Sequence, residues 1–172
     1  DECGLPAGVF NLVSGHGREI GEVISSHPEV DMVSFTGSTS AGVSVSKAAS
    51  ETVKRVTLEL GGKSANIILD DADIAKASKM AVYSCFNNSG QECSSLSRLL
   101  VPASHRDEIV NIIATTMERY SVGDPMDESI KCGPMVSESQ QKSVSEYISL
   151  GISEGATLIS GGEGLPDGIN TG

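Results

Sequence analysis

The sequence runs to 172 residues, enough for one ordinary domain or for parts of two, and 38% of it is hydrophobic. Trp is absent and Phe and Tyr number three each, so Val, Ile, Leu and Ala must supply the core. A formal net charge of −11 argues against a broad basic surface for nucleic acid or anionic membrane, and no apolar run approaches the roughly 18 residues of a helical membrane span.

The elements read in chain order as alternating strands and helices. Gly8–Gly15 (GVFNLVSG) is a short apolar run closed by glycine and predicts a buried strand, and Arg18–Ser26 predicts a short helix ended by His27-Pro28. Val30–Phe35 predicts a second strand, Thr39–Ser50 the helix after it, Lys54–Leu60 a third strand and Ala65–Asp70 a fourth. The stretch DDADIAKASKMAVYSCF opens with acidic residues and continues at helical spacing. Asp70, Asp71 and Asp73 are therefore read as helix-start residues and not as a metal cluster. Ser97–Pro102 predicts a further strand, and Ser104 with Asp107 a capping-box start to a helix buried along Ile109, Ile112, Ile113, Thr116, Met117 and Tyr120. A Gly/Pro-rich loop leads to a helix over Ser137–Glu154, with Val144, Tyr147, Ile148 and Ile152 on one face, and GATLISGG predicts a closing strand. The alternation specifies an α/β fold with a largely parallel sheet.

The four cysteines, Cys3, Cys85, Cys93 and Cys132, are irregularly spaced without a CxxC pair, and His16, His27 and His105 stand alone. Neither a zinc site nor a disulfide framework is expected, and four free thiols fit a reducing, cytoplasmic compartment with no signal peptide. The chain opens on DECGLPAGV without Met and stops at LPDGINTG inside a loop pattern. Both ends read as cuts through a longer protein.

Three stretches carry chemistry. In SFTGSTSAG, Gly37 and Gly42 flank a turn from strand to helix, which leaves backbone N–H groups at a helix N-terminus suited to phosphate. Ser38 and Thr39 add hydroxyls; an ordinary capped turn is the competing reading. In LELGGKSA, Glu59 closes an apolar strand pattern, where desolvation would suit a general base; pairing with Lys63 or Arg55 is the structural alternative. In FNNSGQECSS, Cys93 follows Gly90 and Gln91, whose backbone N–H groups are candidates to face a thiolate and a developing oxyanion. Cys3, Cys85 and Cys132 are read as inert core residues.

Together these stretches resemble the NAD(P)-dependent aldehyde dehydrogenase superfamily. FNNSGQEC is similar to its cysteine signature F-x-N-x-G-Q-x-C, LELGGKSA to its glutamate signature, and FTGSTSAG to its cofactor-phosphate turn. The flanking stretches LPAGVFNLVSG and VGDPMDESIKCGPMVSESQQKSVSEYISLGISEGATLISGG agree, so the resemblance spans nearly the whole chain in the family's order. It implies Cys93 as the nucleophile forming a thiohemiacetal and then a thioester, and Glu59 as the base that activates the deacylating water. The Cys93 N–H would be one oxyanion donor. Gly37, Ser38, Thr39 and Gly42 would hold the phosphates, Leu60 would lie beside the nicotinamide, and the helix after Gly17 would wall the adenosine cleft.

The implied cofactor is NAD or NADP, NAD favoured, the substrate a small-molecule aldehyde, and the assembly a homo-oligomer, dimer or tetramer. Residues 1–60 would be the C-terminal part of a Rossmann-type cofactor domain, and residues 61–172 the N-terminal part of an α/β catalytic domain. The rest of the family's length supplies an asparagine of the oxyanion hole, ribose-binding Lys and Glu side chains and much of the substrate funnel. The segment alone is thus expected to be inactive and poorly stable. Ser95 departs from the family, which has Ala or another very small residue there. Two alternatives stay open: a coenzyme A-acylating semialdehyde dehydrogenase, against which Glu59 speaks, and a non-catalytic truncated relative.

Overall fold

The computed structural model describes residues 3–166 and residue 169, and the chain divides into two compact units, Asp1–Gly61 and Gly62–Gly172. In the first, β1 (Met32–Gly37) and β2 (Arg55–Leu60) pair in parallel from Met32 opposite Arg55 to Gly37 opposite Leu60. The crossover between them is α2 (Thr39–Ser50), and α1 (Gly17–Ser26) packs against α2. The α2 boundaries follow from local chemistry. Ser38, in extended conformation, caps the helix by accepting the Ala41 N–H at 3.3 Å. Val33, Ala49 and Ser25 are the buried centre, and the Ser25 hydroxyl is satisfied by the Gly21 carbonyl at 2.6 Å.

The second unit opens with β3 (Ala65–Ile67), paired in parallel with β4 (Arg98–Leu100), and the connection between them is α3 (Ile74–Phe86) followed by the cysteine loop. Asp73 caps α3 by accepting the Lys76 N–H at 3.1 Å, whereas Asp70 and Asp71, expected at the helix start as well, precede it, and the first turn holds no acidic residue. Ser78, Ala81 and Val82 are buried on one helix face, and small residues there let α3 pack closely on α4 (Arg106–Met117), where Ile109 is buried. α5 (Glu138–Ser153) starts at Ser137, whose hydroxyl accepts the Gln140 N–H at 3.2 Å.

Several expected elements differ. Gly8–Gly15 is turn and irregular chain, because no strand among the described residues offers it a ladder; Phe10 and Leu12 are exposed. The GATLISGG stretch is likewise not a strand, with Leu158 and Ile159 half exposed. The strands expected over Ala65–Asp70 and Ser97–Pro102 shrink to three residues each, the length over which they pair. Ser104 does not cap α4. A 3₁₀ turn over Ala103–His105 precedes the helix, whose start has no side-chain cap. The α5 apolar face is present but uncovered, with Tyr147 largely exposed. No described helix is long and apolar enough to cross a membrane, and no described group of His, Cys, Asp and Glu could hold a metal ion.

Candidate active site

In the first unit the parallel register puts Thr36 opposite Glu59 and Gly37 opposite Leu60, so both strands end together. The carboxyl end of this pair carries Gly37, Ser38 and the α2 N-terminus on one strand, and Glu59 and Leu60 on the other. Ligands of open α/β sheets bind at such carboxyl ends. The Ala41 N–H is taken by the Ser38 hydroxyl, and Gly42 donates to the Ser38 carbonyl at 2.9 Å. The Thr39 and Ser40 N–H groups donate to no acceptor among the described residues, and Ser38 and Thr39 are exposed. This end therefore fits an anionic phosphate.

The two glycines act differently here. A Cβ on Gly42 would stand 2.6 Å from Leu60 Cδ2, so Gly42 is where α2 lies close against β2. It is buried, and holds the helix end in place without itself facing solvent. A Cβ on Gly37 would stand 2.5 Å from the Phe35 ring, so that ring, half-buried, occupies the space beside Gly37. Gly17 begins α1, behind a His16 whose side chain makes no cap hydrogen bond.

Glu59 corrects an expectation. Its side chain is exposed and makes no ion pair with Arg55 among the described residues. The desolvation expected of a buried strand end is missing because, among the described residues, β1 and β2 form a sheet of two strands.

In the second unit the cysteine loop leaves α3 through a strained turn. Asn88, Ser89 and Gly90 take φ of 49°, 57° and 72° in succession. Left-handed backbone costs the two non-glycine residues on the order of 1 kcal/mol each, less for Asn, so something must hold them there. Asn88 Nδ2 donates to the Gln91 carbonyl at 3.3 Å, and the Gln91 N–H donates to the Asn88 carbonyl at 3.1 Å. The Gln91 N–H is thus spent inside the turn, which removes it from the donors expected to face an anion. Ser95 then donates its N–H to the Glu92 carbonyl at 3.2 Å, closing a turn that carries Cys93 at its second position. Glu92 is fixed on both oxygens, by Asn87 Nδ2 at 2.8 Å and by the Ser94 hydroxyl at 2.9 Å. Cys93 is exposed, and its N–H donates to no acceptor among the described residues, which leaves it free as an oxyanion donor.

The four thiols are free, yet not all in the core: Cys3 is exposed, Cys85 half-buried and Cys132 buried. Burial pushes the Cys85 thiol up, with Lys63 acting in the opposite sense, and burial also raises Cys132. In both, burial favours the neutral thiol over the nucleophilic thiolate. Ser95, buried and without a hydrogen-bond partner for its hydroxyl among the described residues, is an unsatisfied polar group in the turn that carries Cys93. Replacing it by alanine is expected to stabilise the protein by about 1 kcal/mol. A higher urea midpoint at unchanged slope is the measurement, and a lower midpoint would contradict it.

Comparison with known proteins gives the family. The sequence profile described as the aldehyde dehydrogenase family matches residues 1–172. A 3-succinoylsemialdehyde-pyridine dehydrogenase from a Pseudomonas species is 53% identical over 172 residues, which are 100% of this chain and 36% of that protein. The crystal structure of a mutant aldehyde dehydrogenase C from Pseudomonas syringae, complexed with NAD+ and octanal, superposes with a TM-score of 0.94 at 47% identity, covering 97% of this chain and 34% of that one. An NAD+ complex of an aldehyde dehydrogenase from Bacillus cereus gives 0.92 at 42%, covering 96% and 34%. The chain spans about a third of the length of these relatives. With its α/β fold and a match along its whole length, the chain belongs to the aldehyde dehydrogenase family.

Proposed function

We propose that a protein of the relatives' length carrying this chain oxidises an aldehyde to a carboxylic acid, with Cys93 as nucleophile, Glu59 as base and NAD or NADP as cofactor, NAD favoured. The observation that carries this reading is the Cys93 turn: an exposed thiol with an uncommitted N–H beside it, on a tightly bonded loop. Attack by the Cys93 thiolate on the carbonyl carbon forms a thiohemiacetal whose oxyanion the Cys93 N–H stabilises. The bound dinucleotide supplies the hydride acceptor. What the chain then holds is a Cys93 thioester, and Glu59 takes a proton from the water that hydrolyses it, releasing acid and thiolate. At the α2 N-terminus the Thr39 and Ser40 N–H groups and the Ser38 and Thr39 hydroxyls would bind the dinucleotide phosphates, with Gly37, Gly42 and Leu60 shaping that end of the sheet and the helix after Gly17 beside it. The relatives crystallised with NAD+ support the cofactor assignment.

In this reading residues 1–60 belong to the cofactor domain and residues 61–172 to the catalytic domain, and the protein is a cytoplasmic homo-oligomer. Because the chain spans a third of its relatives, the isolated 172-residue segment is inactive. Product analysis tests the reading: the long protein should convert aldehyde and NAD+ to free acid without coenzyme A, while the segment yields nothing. Acyl-coenzyme A formation, strictly dependent on coenzyme A, would favour the acylating alternative and overturn the role of Glu59.

A further inference from the structure

The loop that carries Cys93 is fastened from outside. Gln91 Oε1 accepts the Val136 N–H at 2.8 Å, and its Nε2 donates to the Pro134 carbonyl at 3.2 Å. The side-chain carboxamide thus pairs with the 134–136 backbone much as a neighbouring strand would. Beside it the Ser89 hydroxyl accepts the Gly133 N–H at 2.8 Å. Three bonds therefore join residues 89 and 91 to residues 133–136. The anchor is itself knitted together. Val122 and Cys132 form a parallel bridge, Gly123 donates to the Cys132 carbonyl at 3.0 Å, and Asp124 and Asp127 each close a turn onto following N–H groups. The two Ser129 bonds to Asp127 hold its carboxyl below the usual range.

The clasp sits at the right place to matter. Ser89 lies inside the left-handed stretch, and Gln91 closes it. Two residues on, the Cys93 side chain makes no hydrogen bond among the described residues. Without the carboxamide, Asn88 and Ser89 gain by relaxing towards ordinary backbone, and the thiol and the Cys93 N–H move with them.

We infer that Gln91 is a positioning residue for the nucleophile, its carboxamide locking the Cys93 loop to the 133–136 segment. The inference rests on the proposed role of Cys93. In the full-length enzyme, Gln91→Met keeps the length of the side chain and removes both hydrogen bonds. It is expected to lower kcat about ten- to a hundred-fold, the scale of a misplacement near 1 Å, while NAD+ affinity and the thermal midpoint hold. Alkylation of Cys93 by iodoacetamide, followed by peptide mass spectrometry without aldehyde, should change in rate along with kcat. Gln91→Glu keeps an acceptor for the Val136 N–H and should restore part of kcat.

A Gln91→Met enzyme with kcat and alkylation rate within twofold of wild type overturns the inference, as does a loss confined to KM. If Gln91→Met does not fold, Ser89→Ala decides: a severalfold fall in kcat supports the clasp, and an unchanged kcat refutes it. Cys93→Ala, run alongside, separates the two claims. Activity surviving that change refutes the nucleophile itself, whereas its loss with a normal Gln91→Met refutes only the clasp.

Discussion

Replacing Cys93 by alanine in the full-length enzyme is expected to lower aldehyde-dependent NADH formation by about four to six orders of magnitude, the scale seen when a covalent nucleophile is removed. Binding of NAD+, followed by fluorescence or calorimetry, should persist, because the elements proposed to bind the phosphates are α2 and the strand ends of the first unit. No other thiol stands ready to replace it. Cys132 is buried and Cys85 half-buried, and burial favours the neutral thiol in both. Cys3, although exposed, lies in the irregular stretch ahead of α1 with no bonded turn around it comparable to residues 87–95. Turnover above a few per cent of wild type would remove Cys93 from the mechanism.

The second large effect concerns Glu59. Glu59→Gln keeps the side-chain shape and removes the proton acceptor, so acylation of Cys93 should proceed while deacylation slows. Steady-state turnover is expected to fall about 10²- to 10⁴-fold, the usual contribution of a general base. The NADH burst of the first turnover should remain. Stopped-flow absorbance distinguishes the two phases. A variant that loses the burst together with the steady state would mean that Glu59 serves the first half-reaction, contrary to the account.

How much of this was legible in the sequence follows the range of the forces involved. α2 over Thr39–Ser50 is found at its predicted bounds, and α5 within one residue at each end, because Ser38 and Ser137 cap their helices across three residues. Asp73 acts over the same short distance at α3. Ser104 carries the same signal but fails, because a 3₁₀ turn after Pro102 delays the helix to Arg106. Strands are less legible. A strand needs a partner that no local pattern names, so Gly8–Gly15 and GATLISGG have the composition without the ladder. Only the paired part of Ala65–Asp70 survives, as β3.

The site divides along the same line. The motifs that carry Glu59, Cys93 and the SFTGSTSAG turn stand in order in the sequence, whereas their surroundings do not show there. Glu59 was expected to be desolvated and is exposed; the Gln91 N–H was expected to face an anion and is bonded to Asn88. The clasp from Gln91 to Pro134 and Val136 spans 43 and 45 residues, and no spacing rule reaches that far. Ser95 departs from the family pattern in the sequence, but its hydroxyl, buried without a partner among the described residues, shows only in the structure.

The covalent step can be seen directly. The full-length Glu59→Gln enzyme, mixed with aldehyde and NAD+, quenched in acid and digested, should carry one acyl group, located by tandem mass spectrometry on the sulfur of Cys93. An acyl group on any other side chain, or none while the NADH burst is full, would contradict the account.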